Sequence, residues 1–456
     1  MKRSSRAWML FLATRIAGLC IDTAVLALAY WSAIALRFDF QMPRWGWKAV
    51  ALSFVTVCLV YLAGLQIFGC YRLAWRRFSL KDMPRYVLSA LFSCAVLTLL
   101  RLAMPFENLA HIRPPYSITL ISFALSVIGL AGWRILWSSC ARLFVKVDDL
   151  LERGVRNMDD SAVRRFLRGK TVLITGAGGS IGSELVRQVV TAAPKAVLLV
   201  ERCENALYEI DRELRQLGVS VSVKPLMVDI NDAVRMEEVF AVERPEVVLH
   251  AAAYKHVPMV EANPREGERN NTEATRSLAE LSRRYGVARF VMISTDKAVN
   301  PVSVMGKTKL AAEKAIMAMN GEDSPTSFCA VRFGNVLGSS GSVVPLFREQ
   351  IARHLPVTVT HPEMKRYFMT VQEAVGLVLQ AASRHEKAIY TLDMGNPVRI
   401  LDLAEEMIRQ SGYKPYVDVP IVFTGIRPGE KLFEELDISE KSAYKTDMAK
   451  IYITKA

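Results

Sequence analysis

The sequence predicts two structural classes in one chain: an α-helical membrane region, then an α/β domain built on a parallel sheet. Residues 1–145 contain four long apolar segments, and from Lys170 onward short apolar runs alternate with helical patterns. Residues 1–150 hold 17 Lys/Arg and 6 Asp/Glu, which leaves 41 and 39 for the rest of the chain. This basic excess surrounds apolar segments, which is typical of membrane orientation signals and argues against a nucleic-acid partner.

The apolar segments cover residues 9–36, 47–70, 86–100 (extending to 104) and 116–140, and most reach the ~20 residues that span a bilayer. Basic residues cluster at the N-terminus and in the connection between the second and third segments. The positive-inside rule therefore predicts that both termini are cytoplasmic. The first segment contains Arg15 and Asp22 on one helix face, which predicts an intramembrane ion pair or a contact with a lipid substrate, with pairing favoured.

The chain is predicted to divide into a transmembrane region (1–145), a charged connector (146–169) and a large α/β domain with a smaller C-terminal part (170–456). The seven cysteines form no CxxC pair and no zinc-type spacing, so neither a disulfide framework nor a metal site is predicted.

A glycine loop opens the α/β domain. Residues 171–175 form an apolar strand, glycines follow at 176, 179 and 182, and a helical pattern begins at Ser183. Such a loop lets backbone approach a pyrophosphate at a helix N-terminus, as in Rossmann-like dinucleotide sites. The loop residues predicted to bind the cofactor are Gly176, Gly179, Ser180, Ile181 and Gly182.

The ends of the next strands supply further cofactor contacts. Glu201 ends the strand 196–200, where a carboxylate accepts from the adenosine ribose hydroxyls and repels a 2′-phosphate. NAD is therefore favoured, while the neighbouring Arg202 leaves NADP open. Asp229, followed by Ile230, is either an adenine contact or a helix N-cap. Ala251 and Ala252 follow the strand 247–250 and offer small side chains beneath a cofactor.

The stretch 294–309 places reactive groups beyond another strand. Thr295, Asp296 and Lys297 follow the apolar run 290–293, where chemistry sits in open α/β sheets. Met305 and Lys309 have the i, i+4 spacing of one helix face. The alternative is a polar loop that caps a strand. Asn271 is predicted to begin the helix that leads to this strand.

Other polar groups are candidates for a substrate site. They lie after the strand 247–250, in the glycine-rich loop 334–343 and in two Arg-containing stretches: Lys255, His256, Asn335, Arg366, Arg427 and Glu430.

Five stretches arrive in a specific order: TGAGGSIGSE, HAAAYKHVPMVE, STDKAVNP with MGKTK, RFGNVLGSSGSV and RPGEKLFEEL. Together they resemble the membrane-bound nucleotide-sugar 4,6-dehydratases of bacterial polysaccharide and protein-glycan synthesis, in the extended short-chain dehydrogenase/reductase superfamily. The resemblance covers roughly residues 170–451. Longer family members carry a further nucleotide-binding-like domain where this chain has only the short connector.

The resemblance implies conversion of a UDP-N-acetyl-hexosamine, typically UDP-GlcNAc, to a 4-keto-6-deoxy sugar with bound NAD. It assigns Asp296 as the acid, Lys297 as the base, Thr295 to the C4 oxygen and Lys309 to the nicotinamide ribose. The pKa of Lys297 must then be lowered by burial or by neighbouring cations. The resemblance also implies a homo-oligomer in the bacterial inner membrane with its catalytic domain in the cytoplasm.

Met305 occupies the position of the usual superfamily tyrosine, and a thioether cannot take a proton. The resemblance points to the subgroup that carries methionine here, so another group or water must deprotonate the C4 hydroxyl. Two other functions stay open: a nucleotide-sugar C4-epimerase, against which the Asp-Lys pair argues, and a membrane-anchored sensor that binds a nucleotide sugar without turnover.

Overall fold

The structure is a computed structural model that describes residues 2–39, 46–72, 83–103, 114–143, 160–384, 386–436, 438–439 and 442–454. The chain divides into two compact units, an N-terminal helical unit and an α/β unit. The predicted fold class is confirmed. Most of the basic connection between the second and third apolar segments lies outside the described residues, as does the part of the connector before Asp160.

The helical unit consists of four long helices: α1 (Lys2–Arg37), α2 (Gly46–Ile67), α3 (Met83–Ala103) and α4 (Tyr116–Leu143). Helix α1 packs on α4, α2 packs on α3, and α3 packs on α4. Each helix contains a segment of 20 or 21 residues that is long and apolar enough to cross a membrane. Their exposed leucine and isoleucine side chains suit a lipid environment.

The ion pair of Asp22 differs from the predicted one. Its Oδ2 lies 2.6 Å from Nη2 of Arg134 on α4, and both side chains are buried. The guanidinium of Arg134 also lies over the ring of Tyr86, 4.7 Å from its centroid. Asp22 therefore joins two helices, which a helix-face argument within α1 could not predict. The side chain of Arg15 lies outside the described residues.

The α/β unit is built on a nine-stranded sheet in the order β14-β15-β11-β6-β5-β4-β1-β2-β3. Its strands are β1 (Thr171–Thr175), β2 (Ala196–Glu201), β3 (Ser222–Met227), β4 (Val247–His250), β5 (Arg289–Ile293), β6 (Ser327–Arg332), β11 (Ile389–Leu392), β14 (Ala443–Lys445) and β15 (Ile451–Thr454). The pairings from β3 to β11 are parallel, and those of β15 are antiparallel.

Apolar clusters that include helix residues cover both faces of this sheet. The described α-helices that follow α4 are α5 (Asp160–Leu167), α6 (Ser180–Thr191), α7 (Glu204–Gln216), α8 (Ala233–Glu243), α9 (Val257–Ala262), α10 (Pro264–Glu268), α11 (Ala274–Arg284), α12 (Val304–Met317), α13 (Val343–Ala352), α14 (Val371–Ser383) and α15 (Ile400–Gln410). Val172 and Ile174 of β1 enter one apolar cluster, and Leu173 enters the cluster on the opposite face. Because both faces are covered, the central strands are apolar throughout.

Three two-stranded pairs lie outside this sheet. They join β7 (Asn335–Val336) to β10 (Phe368–Met369), β9 (Lys365–Arg366) to β12 (Val398–Arg399), and β8 (Val357–Val359) to β13 (Ile421–Phe423). These short pairs contain two of the predicted substrate residues, Asn335 and Arg366.

Two local predictions differ from the structure. Helix α5 falls inside the predicted connector, yet its Phe166 and Leu167 enter the apolar core of the α/β unit. Asn271 does not begin a helix, because the chain is helical from Pro264 and passes through a π-helical turn at Arg269–Glu273. The turn directs the buried Asn271 amide at the backbone of Tyr254.

Candidate active site

The glycine loop lies at the point where the strand order reverses. The chain passes from β1 to β2 and β3 on one side, then crosses to β4 on the other. Gly176 has φ +66°, and a Cβ there would lie 2.8 Å from the amide nitrogen of Ala252. A Cβ on Gly182 would lie 1.9 Å from the Gly176 carbonyl oxygen. Both positions therefore require glycine, and they bring the α6 N-terminus close to the sheet edge.

A cavity of about 200 Å³ opens at this edge. It is lined by the carboxyl ends of several strands and the residues that follow them: Gly176, Gly179, Val200, Glu201, Arg202, Val228, Asp229, Ile230, Ala251, Ala252, Ala253, Tyr254 and Asn270. Six predicted cofactor residues besides Gly176 are in this set, whereas Ser180, Ile181, Gly182 and Lys309 are outside it. Tyr254 and Asn270 line the cavity although the sequence did not single them out as cofactor contacts.

Glu201 forms a hydrogen bond with the backbone of the glycine loop. Its carboxylate accepts from the backbone N–H of Gly178 at 3.2 Å and of Cys203 at 3.0 Å, and it also lines the cavity. Asp229 accepts from the backbone and side chain of Asn231 at 2.9 and 2.8 Å. The N-cap alternative for Asp229 is wrong, because the side chain of Asp232 caps α8 instead.

Arg202 lies beside the same cavity. Its guanidinium stands over the Tyr254 ring, 4.9 Å from the centroid, and Nη1 is 3.7 Å from Asp229 Oδ2. A carboxylate at 201 and a cation at 202 thus both line this cavity.

A buried histidine, His250, forms a hydrogen-bond network at this sheet edge. His250 Nδ1 lies 2.8 Å from Thr175 Oγ1, and Nε2 lies 2.8 Å from Thr275 Oγ1. The Thr275 hydroxyl donates to the Asn271 carbonyl, so it accepts from Nε2–H. Burial, helped by the charge of Lys309, lowers the pKa of His250 to about 3. A neutral imidazole thus connects the ends of β1 and β4 to Thr275 of α11, and Thr275 in turn bonds the π-helical turn.

The Asp-Lys pair lies beyond β5. The Thr295 side chain caps a 3-10 turn at Asp296–Ala298, and Asp296 is buried. Its Oδ1 accepts from Thr295 Oγ1 at 2.9 Å and from Lys297 Nζ at 3.0 Å. Its Oδ2 is buried without a hydrogen-bond partner among the described residues. Gly334 faces this oxygen, and a Cβ there would lie 2.7 Å from it.

Lys297 meets two hydrogen-bond acceptors and a second carboxylate. Besides Asp296, its Nζ lies 3.3 Å from Asn335 Oδ1, and it forms an ion pair with Glu434 Oε1 at 3.5 Å. Burial acts to lower the pKa of Lys297, but the carboxylates of Asp296 and Glu434 raise it further than burial lowers it. The expectation of a lowered pKa is therefore wrong for this arrangement, because carboxylates rather than cations dominate the surroundings.

Met305 and Lys309 are both buried on α12. Met305 packs in an apolar cluster with Val257 and Val260, against Tyr254. Lys309 donates to the carbonyl of Ile293, at the end of β5, at 2.7 Å. Burial lowers the pKa of Lys309 to about 8, against the opposing charge of Glu313. Lys309 thus contacts the end of β5, the strand that leads into the Asp-Lys pair.

Two predicted substrate residues meet the loop that contains Ser340. Lys255 Nζ donates to the Ser340 carbonyl at 2.7 Å, and a Cβ on Gly341 would lie 2.6 Å from the His256 ring. The Ser340 amide in turn donates to Ser180 Oγ, at the start of α6, at 3.0 Å. This loop therefore connects the glycine loop with the Lys255–His256 stretch.

The Arg-containing stretches behave differently from each other. Arg366 is buried, and its guanidinium donates to the backbone carbonyls of Lys365, Lys431 and Leu432 at 2.8–3.1 Å. Its contact with a nucleotide sugar stays a prediction. Arg427 is exposed and lies 3.0 Å from Glu430. The Glu430 Oε2 atom is buried without a hydrogen-bond partner among the described residues, so it has capacity for a ligand.

Sequence reasoning did not assign a role to Glu434 or to the Glu313–Arg332 pair. Arg332, at the end of β6, donates twice to Glu313 of α12 at 2.6 and 2.9 Å. Glu313 is four residues after Lys309, which is the signal that places it on the same buried helix face. Glu434 lies in the quoted RPGEKLFEEL stretch, but no local pattern distinguishes it from the exposed Glu435.

These features define a class: α/β proteins with a dinucleotide-type glycine loop and a buried acid–amine pair at the same sheet edge. The model of the Polysaccharide biosynthesis protein family matches residues 172–456, so the chain belongs to this family.

Relatives agree with this assignment. The chain is 52% identical to the "Capsular polysaccharide biosynthesis protein CapD" of Staphylococcus aureus over 64% of its own length, and it spans 49% of that relative. It is 48% identical to the "Probable polysaccharide biosynthesis protein EpsC" of Bacillus subtilis, over 68% of this chain and 52% of the relative. The chain therefore spans about half the length of these two relatives.

A shorter relative is covered more fully. The chain is 32% identical to a "UDP-N-acetylglucosamine 4,6-dehydratase (inverting)" of Campylobacter jejuni, over 61% of this chain and 80% of that protein. Among solved structures, Pen from Bacillus thuringiensis matches with a TM-score of 0.58 and 32% identity, over 63% of this chain and 90% of that chain. The resemblance to the 4,6-dehydratase family is thus confirmed.

Proposed function

We propose that the protein is a membrane-anchored nucleotide-sugar 4,6-dehydratase. Its substrate is a UDP-N-acetyl-hexosamine, with UDP-GlcNAc as the first choice, and its product is the 4-keto-6-deoxy sugar for surface polysaccharide or glycan synthesis. The observation that carries this proposal is the buried Asp296–Lys297 pair at the end of β5, with one carboxylate oxygen free of partners among the described residues. The dehydratase relative supports the substrate class.

The cofactor is proposed to be NAD. Gly176 and Gly182 let α6 begin close to the sheet edge, where its N-terminus is proposed to meet the pyrophosphate, and Glu201 in the cavity wall is proposed to bind the adenosine ribose. Asp229, Ile230, Ala251 and Ala252 complete this wall. Lys309, held at the end of β5, is proposed to hold the nicotinamide ribose. When bound, a nicotinamide accepts a hydride from C4 of the sugar and returns one to C6.

A single proton transfer can produce both the acid and the base. A 4-keto group acidifies the C5–H bond, so elimination needs an amine at C5 and a carboxylic acid near the C6 hydroxyl. Transfer of one proton from Lys297 Nζ to the Asp296 carboxyl, across 3.0 Å, produces both groups at once. The amine then takes the C5 proton, and the acid protonates the leaving hydroxyl as water. Thr295 is proposed to bond the C4 oxygen.

Met305 takes no part in proton transfer, because its thioether lies in an apolar cluster. Another group or a water molecule must take the C4 hydroxyl proton. On the substrate side, the proposed nucleotide-sugar contacts are Lys255, His256, Asn335, Arg366, Arg427 and Glu430.

The four apolar helices are proposed to anchor the protein in the bacterial inner membrane with the α/β unit in the cytoplasm. The basic N-terminus and the basic connection at 72–85 support this orientation. The proposed domain division is 1–145, 146–169 and 170–456, and a homo-oligomer is expected from the resemblance.

A C4-epimerase is the second candidate, since the chain is also 32% identical to a "UDP-glucose 4-epimerase" of Rickettsia bellii. Epimerisation needs no acid–base pair for loss of water, so the buried Asp296–Lys297 pair favours dehydration.

The test is turnover of UDP-GlcNAc by the full chain in detergent and D2O, followed by NMR. A 4-keto-6-deoxy product with deuterium at C5 is the expected result, and its coupling pattern reports retention or inversion at C5. A C4-epimer without deuterium at C5 would replace the dehydratase by the epimerase. Tight binding without turnover, for both UDP-GlcNAc and UDP-GalNAc, would indicate a sensor.

A further inference from the structure

A third carboxylate stands beside the Asp-Lys pair. Glu434 Oε1 lies 3.5 Å from Lys297 Nζ and 3.7 Å from Arg366 Nε, and the Glu434 side chain is 3% exposed. Its Oε2 has no hydrogen-bond partner among the described residues. A buried carboxylate is costly unless it is paired, and the Lys297 and Arg366 cations supply that pairing at Oε1 while Oε2 has none.

The geometry of Lys297 indicates a role for this carboxylate. An ammonium group has three N–H donors; Lys297 Nζ donates to Asp296 and Asn335, and the Glu434 carboxylate lies within ion-pair distance of it, on the side of the third donor. When Asp296 takes one proton, the amine keeps two N–H groups and gains a lone pair. If Asn335 and Glu434 hold those two N–H groups, these two side chains set the orientation of the amine and with it the direction of its lone pair.

We infer that Glu434 is a positioning residue for Lys297: it holds the amine so that its lone pair meets the C5 proton, and it stabilises the ammonium that forms. This inference rests on the proposed dehydration. Glu434 acts through Lys297 and needs no contact with the sugar. The charged groups that face Lys297 are Asp296, Glu434 and Arg366.

The chain segment of Glu434 adds a connection to the substrate. Arg366 donates to the carbonyls of Lys431 and Leu432, which lie within three residues of Glu434. It therefore holds the backbone segment that carries the Glu434 carboxylate. The same segment begins with Arg427 and Glu430, the proposed substrate contacts. Docking of the nucleotide sugar on this segment would therefore also place Glu434 against Lys297.

The test compares Glu434→Gln with Glu435→Gln in the full chain. Glu435 is the matched control, because it is adjacent but bonds Lys431 and Asn300 outside the Asp-Lys pair. We expect Glu434→Gln to lower kcat by roughly 10-fold or more, with KM for UDP-GlcNAc nearly unchanged. The limb of the kcat–pH profile that reports Lys297 should move about one unit toward lower pH, since a nearby negative charge has been removed. Glu435→Gln should keep both the rate and the profile.

Glu434→Asp protects the test against a folding defect. It keeps the charge with a shorter reach, so we expect a rate between those of Glu434→Gln and the unaltered chain, with the pH limb unmoved. If the unaltered chain is active and Glu434→Gln does not move the limb of the pH profile that reports Lys297, this inference is overturned. The proposed dehydratase activity is then retained. An unaltered chain that forms no 4-keto-6-deoxy sugar would overturn both.

Discussion

Two clusters of buried charge lie at the carboxyl ends of β5 and β6, and they differ in how completely they are satisfied. In the first, both Glu313 oxygens accept from Arg332, and Ser294 also donates to Oε1 at 2.5 Å. In the second, Asp296 leaves one oxygen without a partner among the described residues. In the first cluster each carboxylate oxygen has at least one partner, whereas the second retains an oxygen with none among the described residues.

This difference separates structural from chemical roles. A bidentate pair is rigid and has little to offer a ligand. A buried carboxylate oxygen without a partner is costly, and the one at the sheet edge, beside an amine, is available to a substrate or a proton. The Asp22–Arg134 pair of the helical unit, in contact at 2.6 Å, joins helices although Asp22 Oδ1 also has no partner among the described residues, so the neighbouring amine and not the unpartnered oxygen alone distinguishes Asp296.

The largest expected effect comes from Asp296→Asn. The amide keeps the shape of the side chain but cannot donate an acidic proton, so dehydration should fall by about 10²- to 10⁴-fold. Product formation from UDP-GlcNAc measures this, and far-UV circular dichroism should be unaltered. Full activity in the Asp296→Asn variant would contradict the assignment of Asp296 as the acid. It would also remove the difference in role between the two clusters.

The next effect comes from Arg332→Met, which should cost stability. It leaves Glu313 buried without its cation, a loss of about 3–5 kcal/mol in the free energy of unfolding. Denaturant unfolding of the full chain in detergent, followed by circular dichroism, measures this. The matched control is Arg353→Met, which removes an exposed helix pair and should change stability by about 0.5 kcal/mol or less. Equal stability of both variants would show that the Glu313–Arg332 pair does not stabilise the fold.

The smallest effect is the pH dependence that His250 causes. Its pKa is about 3 in the folded protein and ~6.5 when unfolded, so the unfolded chain binds an additional proton as pH falls below 6.5. Stability should therefore fall by about 1.4 kcal/mol for each pH unit from 6.5 downward. Unfolding curves between pH 7.5 and 5 measure the slope.

The His250→Gln variant should lose most of this slope, whereas His361→Gln, outside the network, should keep it. A slope that is the same in all three chains would mean that other groups dominate the pH dependence of this unit.

Much of the architecture could be read from local patterns. The strands at 171–175 and 247–250 match β1 and β4 residue for residue, because apolar runs bounded by turn signals are local features. The glycine spacing likewise predicted a loop whose positions 176 and 182 have no room for a side chain. The i, i+4 spacing placed Met305 and Lys309 together on a buried face of α12.

Contacts between distant segments could not be read in this way. Arg134 lies 112 positions from Asp22, and Glu434 lies 137 positions from Lys297, so only the packing of whole elements makes them partners. The raised pKa of Lys297 has the same origin, since it depends on which charges the fold brings within a few ångströms. The sequence by itself therefore determined the elements and the reactive residue types, because these follow from local periodicity and chemistry. Only the tertiary structure decided which charges meet, because electrostatic interaction depends on distance in space and not on distance along the chain.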